Sequence, residues 1–189
     1  VRMSAGYDAF HFAVWALSEA ELAGVVGYLG HDPELRGDTL SGNILWGDDG
    51  DAEAWLRAVC LDKEVGAMPK GAQTLVGSGG VRLSGGQQAR LALARTLCHK
   101  RPVMILDDPF AALDRDTEKR VFAAVREQLS DCVVLLISHR LYLFPELSRV
   151  LWMEDGRAVC GSHEAFLKTN PAYAALYAAQ QKGGDGHEA

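Results

Sequence analysis

The chain has 189 residues, a formal net charge of −6 and a pI near 5.5. Hydrophobic residues make up 48% and charged residues 23%, which supplies a sizeable core and excludes a chain that is itself one disordered tail. The acidic balance gives no general attraction to nucleic acid or anionic lipid, and no nucleic-acid partner is expected.

Val1–Met3 and Val25–Leu29 read as short strands joined by an apolar helical stretch around Phe10–Leu22. Residues 33–50 are rich in turn formers. A helix is expected over Asp51–Leu61, with Trp55, Ala58 and Val59 on one face, then a loop over Gly66–Gly80. The next helix starts at Gly85–Gly86 and ends near Cys98. The run "VMIL" (103–106) fits a fully buried parallel strand, as does "CVVLLI" (132–137), with a helix over Asp116–Leu129 between them. "VLWME" (150–154) and "RAVC" (157–160) form a hairpin across Asp155-Gly156. Ser162 caps a short helix, and Pro171 opens a last one through Gln180. The tail 181–189 is expected to be flexible. Helices alternating with apolar strands predict an α/β sheet.

The cysteines Cys60, Cys98, Cys132 and Cys160 form no C-x-x-C pair and read as reduced core thiols, with zinc or disulfide use as the alternative. The longest apolar run is too short to cross a bilayer. The sequence opens on Val1 without a signal-peptide pattern. It is expected to be a portion of a longer polypeptide, with any membrane anchor supplied by another segment or chain.

Polar residues stand where the strands end. In open α/β sheets ligands sit at the carboxyl ends of the strands. Asp107-Asp108 follows "VMIL", and Ser138-His139 closes the next strand. One carboxylate there can hold Mg²⁺ beside nucleotide phosphates, and a second can accept a proton from an attacking water. A histidine on the neighbouring strand end can donate to a terminal phosphate. The bland reading is a simple Asp-Pro turn and a core histidine. Upstream, "LSGGQ" (83–87) puts Ser84 and two glycines at a helix start, where unpaired N–H groups and the helix dipole favour anions. No lysine follows a glycine anywhere, so no G-x-x-x-x-G-K-[ST] loop is present.

These stretches resemble ABC ATPases. "LSGGQQARLALARTL" (83–97) looks like their signature motif, "VMILDDP" (103–109) their Walker B strand, "AALD" (111–114) their D-loop, and "ISHR" (137–140) carries the switch histidine. Ser84 and Asp107 are 23 residues apart, and Asp107 and His139 are 32 apart, in the family's order. Residues 26–47, 71–87 and 150–180 resemble the Q-loop region, the lead-in to the signature and the C-terminal end of the exporter branch.

The resemblance implies an incomplete P-loop NTPase-like ABC ATPase domain over residues 1–180. It is α/β, with a mainly parallel sheet flanked by helices. A helical subdomain at about 33–98 carries the signature, and 1–32 with 99–180 form the catalytic core portion. ATP and Mg²⁺ are the implied cofactors. Asp107 is the metal carboxylate, Asp108 the general-base position, His139 the γ-phosphate contact and His31 the coupling-loop position. Ser84, Gly85, Gly86 and Gln87 grip ATP held by a second nucleotide-binding domain, and Asp114 organises that interface. The implied partners are this second domain and the transmembrane domain of an exporter, at the cytoplasmic face of a membrane.

Three departures stand out: Walker A is absent, Asp108 replaces the family's glutamate, and His31 replaces the Q-loop glutamine. The last two suggest a slowly hydrolysing site within a heterodimer rather than a homodimer. The alternatives are the C-terminal half of an SMC-type DNA-maintenance ATPase and a non-catalytic remnant. Residues 30–82 lack the heptads that the SMC reading requires.

Overall fold

Three parallel strands in the order β1-β2-β3 organise the computed structural model. It describes residues 18–77 and 79–184. The strand expected at Val1–Met3, the start of the helical stretch after Phe10, and residues 185–189 lie outside the described residues.

Helix α1 (Glu19–Val25) begins with a capping box between Ser18 and Glu21 and runs straight into β1 (Val26–Leu29). β1 pairs with β2 (Val103–Asp107), which pairs with β3 (Val133–Ile137). The register sets Leu29 beside Leu106 and Asp107 beside Ile137, so β2 and β3 end level with each other.

The turn-rich stretch after β1 holds a short helix, α2 (Leu40–Leu45), that its composition concealed. Thr39 caps it by accepting from the Gly42 N–H, and Trp46 ends it in the left-handed region at φ 51°. Buried Asn43 spends its whole amide on the backbone. It accepts from the Arg36 N–H at 2.9 Å and donates to the carbonyls of Arg36 and Thr39. Helices α3 (Ala52–Ala58) and α4 (Asp62–Gly66) follow. The inward positions of α3 and its cap are Ala52, Leu56 and Val59; of the expected face Val59 is buried, while Trp55 and Ala58 are only half-buried. α2 and α3 pack against α5 (Gly85–Cys98), whose Leu91, Leu93 and Leu97 are fully buried. α6 (Arg115–Gln128) buries Val121 and Phe122, and Phe122 meets Phe110 edge-on at 6.0 Å.

Two sequence expectations fail on burial. β2 buries Met104 and Leu106 fully, but Val133 of β3 is 65% exposed and Ile137 48%. β3 has only β2 beside it among the described residues, and an edge strand has no second neighbour to cover it. The cysteines are free, as read, but none belongs to the core, and Cys160 is exposed.

The chain divides into two compact units, Val1–Ile137 and Ser138–Ala189. The second holds a 3₁₀ turn (Leu141–Glu146), the antiparallel hairpin β4 (Val150–Glu154) and β5 (Arg157–Gly161), α7 (His163–Thr169) and α8 (Pro171–Gly184). Both turn residues, Asp155 (φ 49°) and Gly156 (φ 73°), are left-handed, the geometry of a type I′ turn. α8 continues four residues past the expected end at Gln180. Leu141, Val150, Phe166 and Tyr173 form its core. The Tyr173 hydroxyl lies 2.6 Å from Nδ1 of buried His163. Tyr173→Phe strands that ring nitrogen, and calorimetry of the chain should show a loss of about 1–3 kcal/mol.

Candidate functional site

Ser84 sits in extended backbone (φ −65°, ψ 160°) as the N-cap of α5. Its hydroxyl accepts from the Gln87 N–H at 3.2 Å, while the Gln87 side-chain oxygen accepts from the Ser84 N–H at 2.9 Å. This capping box fixes the first turn and leaves the Ser84 proton able to donate. The N–H groups of Gly85 and Gly86 are the helix-start donors that have no intrahelical acceptor. A Cβ on Gly85 would meet open space, whereas one on Gly86 would stand 3.0 Å from the carbonyl oxygen of Ala112. Glycine at 86 therefore lets the helix start lie directly against the loop after β2.

That loop turns sharply. Asp108 adopts φ 46°, a left-handed conformation that costs about 1–3 kcal/mol in a non-glycine residue. Aspartate tolerates it better than most residues. Its N–H donates to the Ile137 carbonyl at 2.8 Å, tying the loop to the end of β3. Phe110 is the buried anchor of the loop, and Ala111, Ala112 and Asp114 are exposed. Asp114 caps α6, accepting from the N–H groups of Thr117 (2.9 Å) and Asp116 (3.1 Å). The Thr117 N–H, its hydroxyl and the Asp116 N–H hold its carboxyl below the usual Asp value.

Asp107 closes β2 half-buried, with the Tyr28 hydroxyl 3.5 Å from Oδ2. At that distance the contact is weak. His31 is exposed just past β1. It lines a cavity of about 810 Å³ with Asp108, Gly85 and Arg82. Three sequence-predicted residues from separate segments thus face one space, and Asp107, Ser84 and Asp114 are not in its described lining. His139 belongs to the second unit. There its carbonyl accepts from the Gln180 amide at 2.5 Å, and the same amide accepts from the Leu141 N–H at 2.8 Å.

Sequence reasoning missed Arg90 and Glu64. Arg90 is only 8% exposed, yet every arm of its guanidinium is used. Nε donates to the Gly86 carbonyl at 3.2 Å, and one terminal nitrogen to the Cys60 carbonyl at 2.7 Å. The other pairs with Glu64 at 2.6 Å. Glu64 also accepts from the Gln87 side-chain amide at 2.7 Å. The only sequence cue was an acid in a short amphipathic stretch, because α4 and α5 meet through the tertiary fold.

The described residues fit a nucleotide phosphate with its metal. A hydroxyl and open helix-start N–H groups suit an anion. No group of three or more described metal-ligating side chains could hold an ion alone. A lone carboxylate such as Asp107 suits Mg²⁺, which is commonly bound through one or two carboxylates plus substrate phosphates.

The ABC transporter family model matches residues 11–111, more than half of the chain. The chain belongs to the ABC transporter family. It is 41% identical over 159 residues to an ATP-dependent lipid A-core flippase of Paraburkholderia xenovorans, covering 82% of this chain and 27% of that protein. It is 39% identical over 165 residues to the flippase of the same name from Burkholderia thailandensis, covering 85% of this chain and 28% of the relative. A solved bacterial Atm1-family ABC exporter with ATP bound matches at a TM-score of 0.80 and 30% identity, over 87% of this chain and 30% of that one. The fold is therefore an incomplete ABC ATPase domain, and this chain spans between a quarter and a third of the proteins it matches. Among the described residues no helix is long and apolar enough to cross a membrane.

The Glu64 contacts make a pH prediction. Burial opposes ionisation, but the Gln87 amide and the Arg90 guanidinium overcome it and hold the carboxyl below its ordinary 4.5. A depressed carboxylate contributes stability above its ordinary pKa and loses it as pH falls through the folded-state value. Thermal melts below pH 4.5 should therefore fall less steeply for Glu64→Gln than for the wild type.

Proposed function

We propose that this chain is the C-terminal portion of a nucleotide-binding domain in an ABC exporter, where MgATP binding and hydrolysis drive transport. The observation that carries the reading is the open, serine-capped start of α5 lying against the exposed loop 111–114. Both segments are presented outward together, as a surface meant for a second nucleotide-binding domain would be. Ser84 and the N–H groups of Gly85 and Gly86 grip the γ-phosphate of ATP held by that domain. Gln87 braces them. Asp114 fixes the loop at the interface, and a transmembrane domain completes the assembly at the cytoplasmic face of the membrane.

In the chain's own site, Asp107 holds Mg²⁺ and Asp108 takes a proton from the attacking water. His139 donates to the γ-phosphate, and His31 carries the state of the site toward the transmembrane domain. The metal, when bound, offsets the charge on the phosphate oxygens. Asp108 is one methylene shorter than the glutamate of the family's pattern. A base misplaced by about 1 Å costs on the order of 10²-fold in rate. We therefore assign this chain to the slow site of a heterodimer, lending its signature to the faster partner.

Equilibrium binding with gel filtration tests the first point. The chain alone should not bind MgATP, and it should associate with a partner domain carrying an intact phosphate loop only when MgATP is present. Tight binding by the chain alone overturns the assignment of Ser84 to a partner's nucleotide. Turnover of the assembled transporter tests the second. Asp108→Glu should raise hydrolysis at this site by about tenfold or more, and unchanged turnover removes the slow-site assignment.

A further inference from the structure

The two ends of the Gln87 side chain are both occupied within this chain. Its oxygen accepts from the Ser84 N–H at 2.9 Å, and its nitrogen donates to Glu64 at 2.7 Å. It is a strut between α4 and the start of α5. Glu64 holds the far end of the strut and is itself held by Arg90 at 2.6 Å, whose guanidinium also grips the Gly86 carbonyl and the Cys60 carbonyl. Cys60 is left-handed at φ 56°, at the junction between α3 and α4. One carboxylate therefore ties the α3–α4 junction to both flanks of the phosphate-facing turn, Ser84 on one side and Gly86 on the other.

The alternative is that Glu64 is a surface ion pair of little consequence. Its side chain is 40% exposed, and isolated exposed pairs contribute about 0–1 kcal/mol. Arg90 is different, with a side chain only 10% exposed. A buried guanidinium cannot release its partner cheaply. The Gln87 bond adds directionality that a simple ion pair lacks.

We infer that Glu64 is a positioning residue: through Gln87 and Arg90 it sets the aim of the Ser84 hydroxyl and the Gly85–Gly86 N–H groups toward a partner's nucleotide. A displacement of α4 then changes the phosphate grip without any residue of α4 touching the nucleotide. The inference rests on the exporter reading above.

A charge swap tests it in the longest polypeptide that carries this chain, assembled with its partner domain. The readout is the ATP concentration for half-maximal association. Gln87→Glu sets two carboxylates face to face and should raise that concentration about tenfold, the usual scale for a hydrogen bond to a charged group. Folding should survive, because Glu at this position still completes the capping box. Adding Glu64→Gln restores a donor opposite an acceptor, and association should return to within about threefold of the wild type. A purely structural role for Glu64 gives no such rescue. A double variant no better than Gln87→Glu, or a Gln87→Glu variant equal to the wild type, overturns the inference. Ser84→Arg separates the two levels. If it leaves ATP-driven association intact, the exporter reading has failed; if it abolishes association while the swap shows no rescue, only the role of Glu64 has failed.

Discussion

A guanidinium shut away from water must have its donors satisfied, and Arg90 meets that demand by drawing three segments to itself. Its partners are Glu64, the Cys60 carbonyl and the Gly86 carbonyl. Leaving such a charge unpaired in the interior costs several kcal/mol. The α3–α4 junction, α4 and the first turn of α5 therefore hold their places together. Around this point α5 buries Leu91, Leu93 and Leu97 on more than one side, so the polar anchor and the apolar core fix the same helix. The first turn of α5 is held in place because what lies beneath it is over-determined.

The same helix start depends on the loop after β2. Gly86 stands where a side chain would press on the Ala112 carbonyl, and the loop reaches that point because Asp108 accepts a left-handed backbone. Strain at Asp108 is offset by the bond from its N–H to the Ile137 carbonyl and by the burial of Phe110. Strained residues persist where the surroundings fix them, and they gather at functional sites. Here the strain sits at Asp108, the residue for which we propose the role of general base. The exposed side chains of β3 belong to the same picture. Parallel sheets are normally covered on both faces, and Val133 and Ile137 of β3 depart from that pattern by standing exposed.

Much of the site was legible residue by residue. Ser84 followed by two glycines and an apolar helical period predicts a capped, anion-facing helix start, and α5 begins and ends where that pattern says. The abrupt change from "VMIL" to Asp107-Asp108-Pro109 marks a strand end, because a buried strand cannot continue through adjacent carboxylates and a proline. α2 was not legible. Its sequence, LSGNIL, is rich in turn formers, and what makes it helical is the Thr39 cap and the packing of Leu40 and Ile44 on α5. The burial of β3 was misread because an apolar run reports what a segment prefers and says nothing of which neighbours cover it.

The sequence by itself determined the family, the strand ends that carry Asp107, Asp108 and His139, and the helix start that carries Ser84. Those features depend on local chemistry: capping, backbone freedom at glycine, and the change from apolar to charged residues within one or two positions. The tertiary structure alone decided that Gln87 is a strut, that Glu64 stands behind it, and that the left-handed Asp108 lines one cavity with His31 and Gly85. Those contacts join residues far apart in the chain. Which acceptor a buried guanidinium finds, and which loop a glycine lets approach, is settled only when separate helices are packed together.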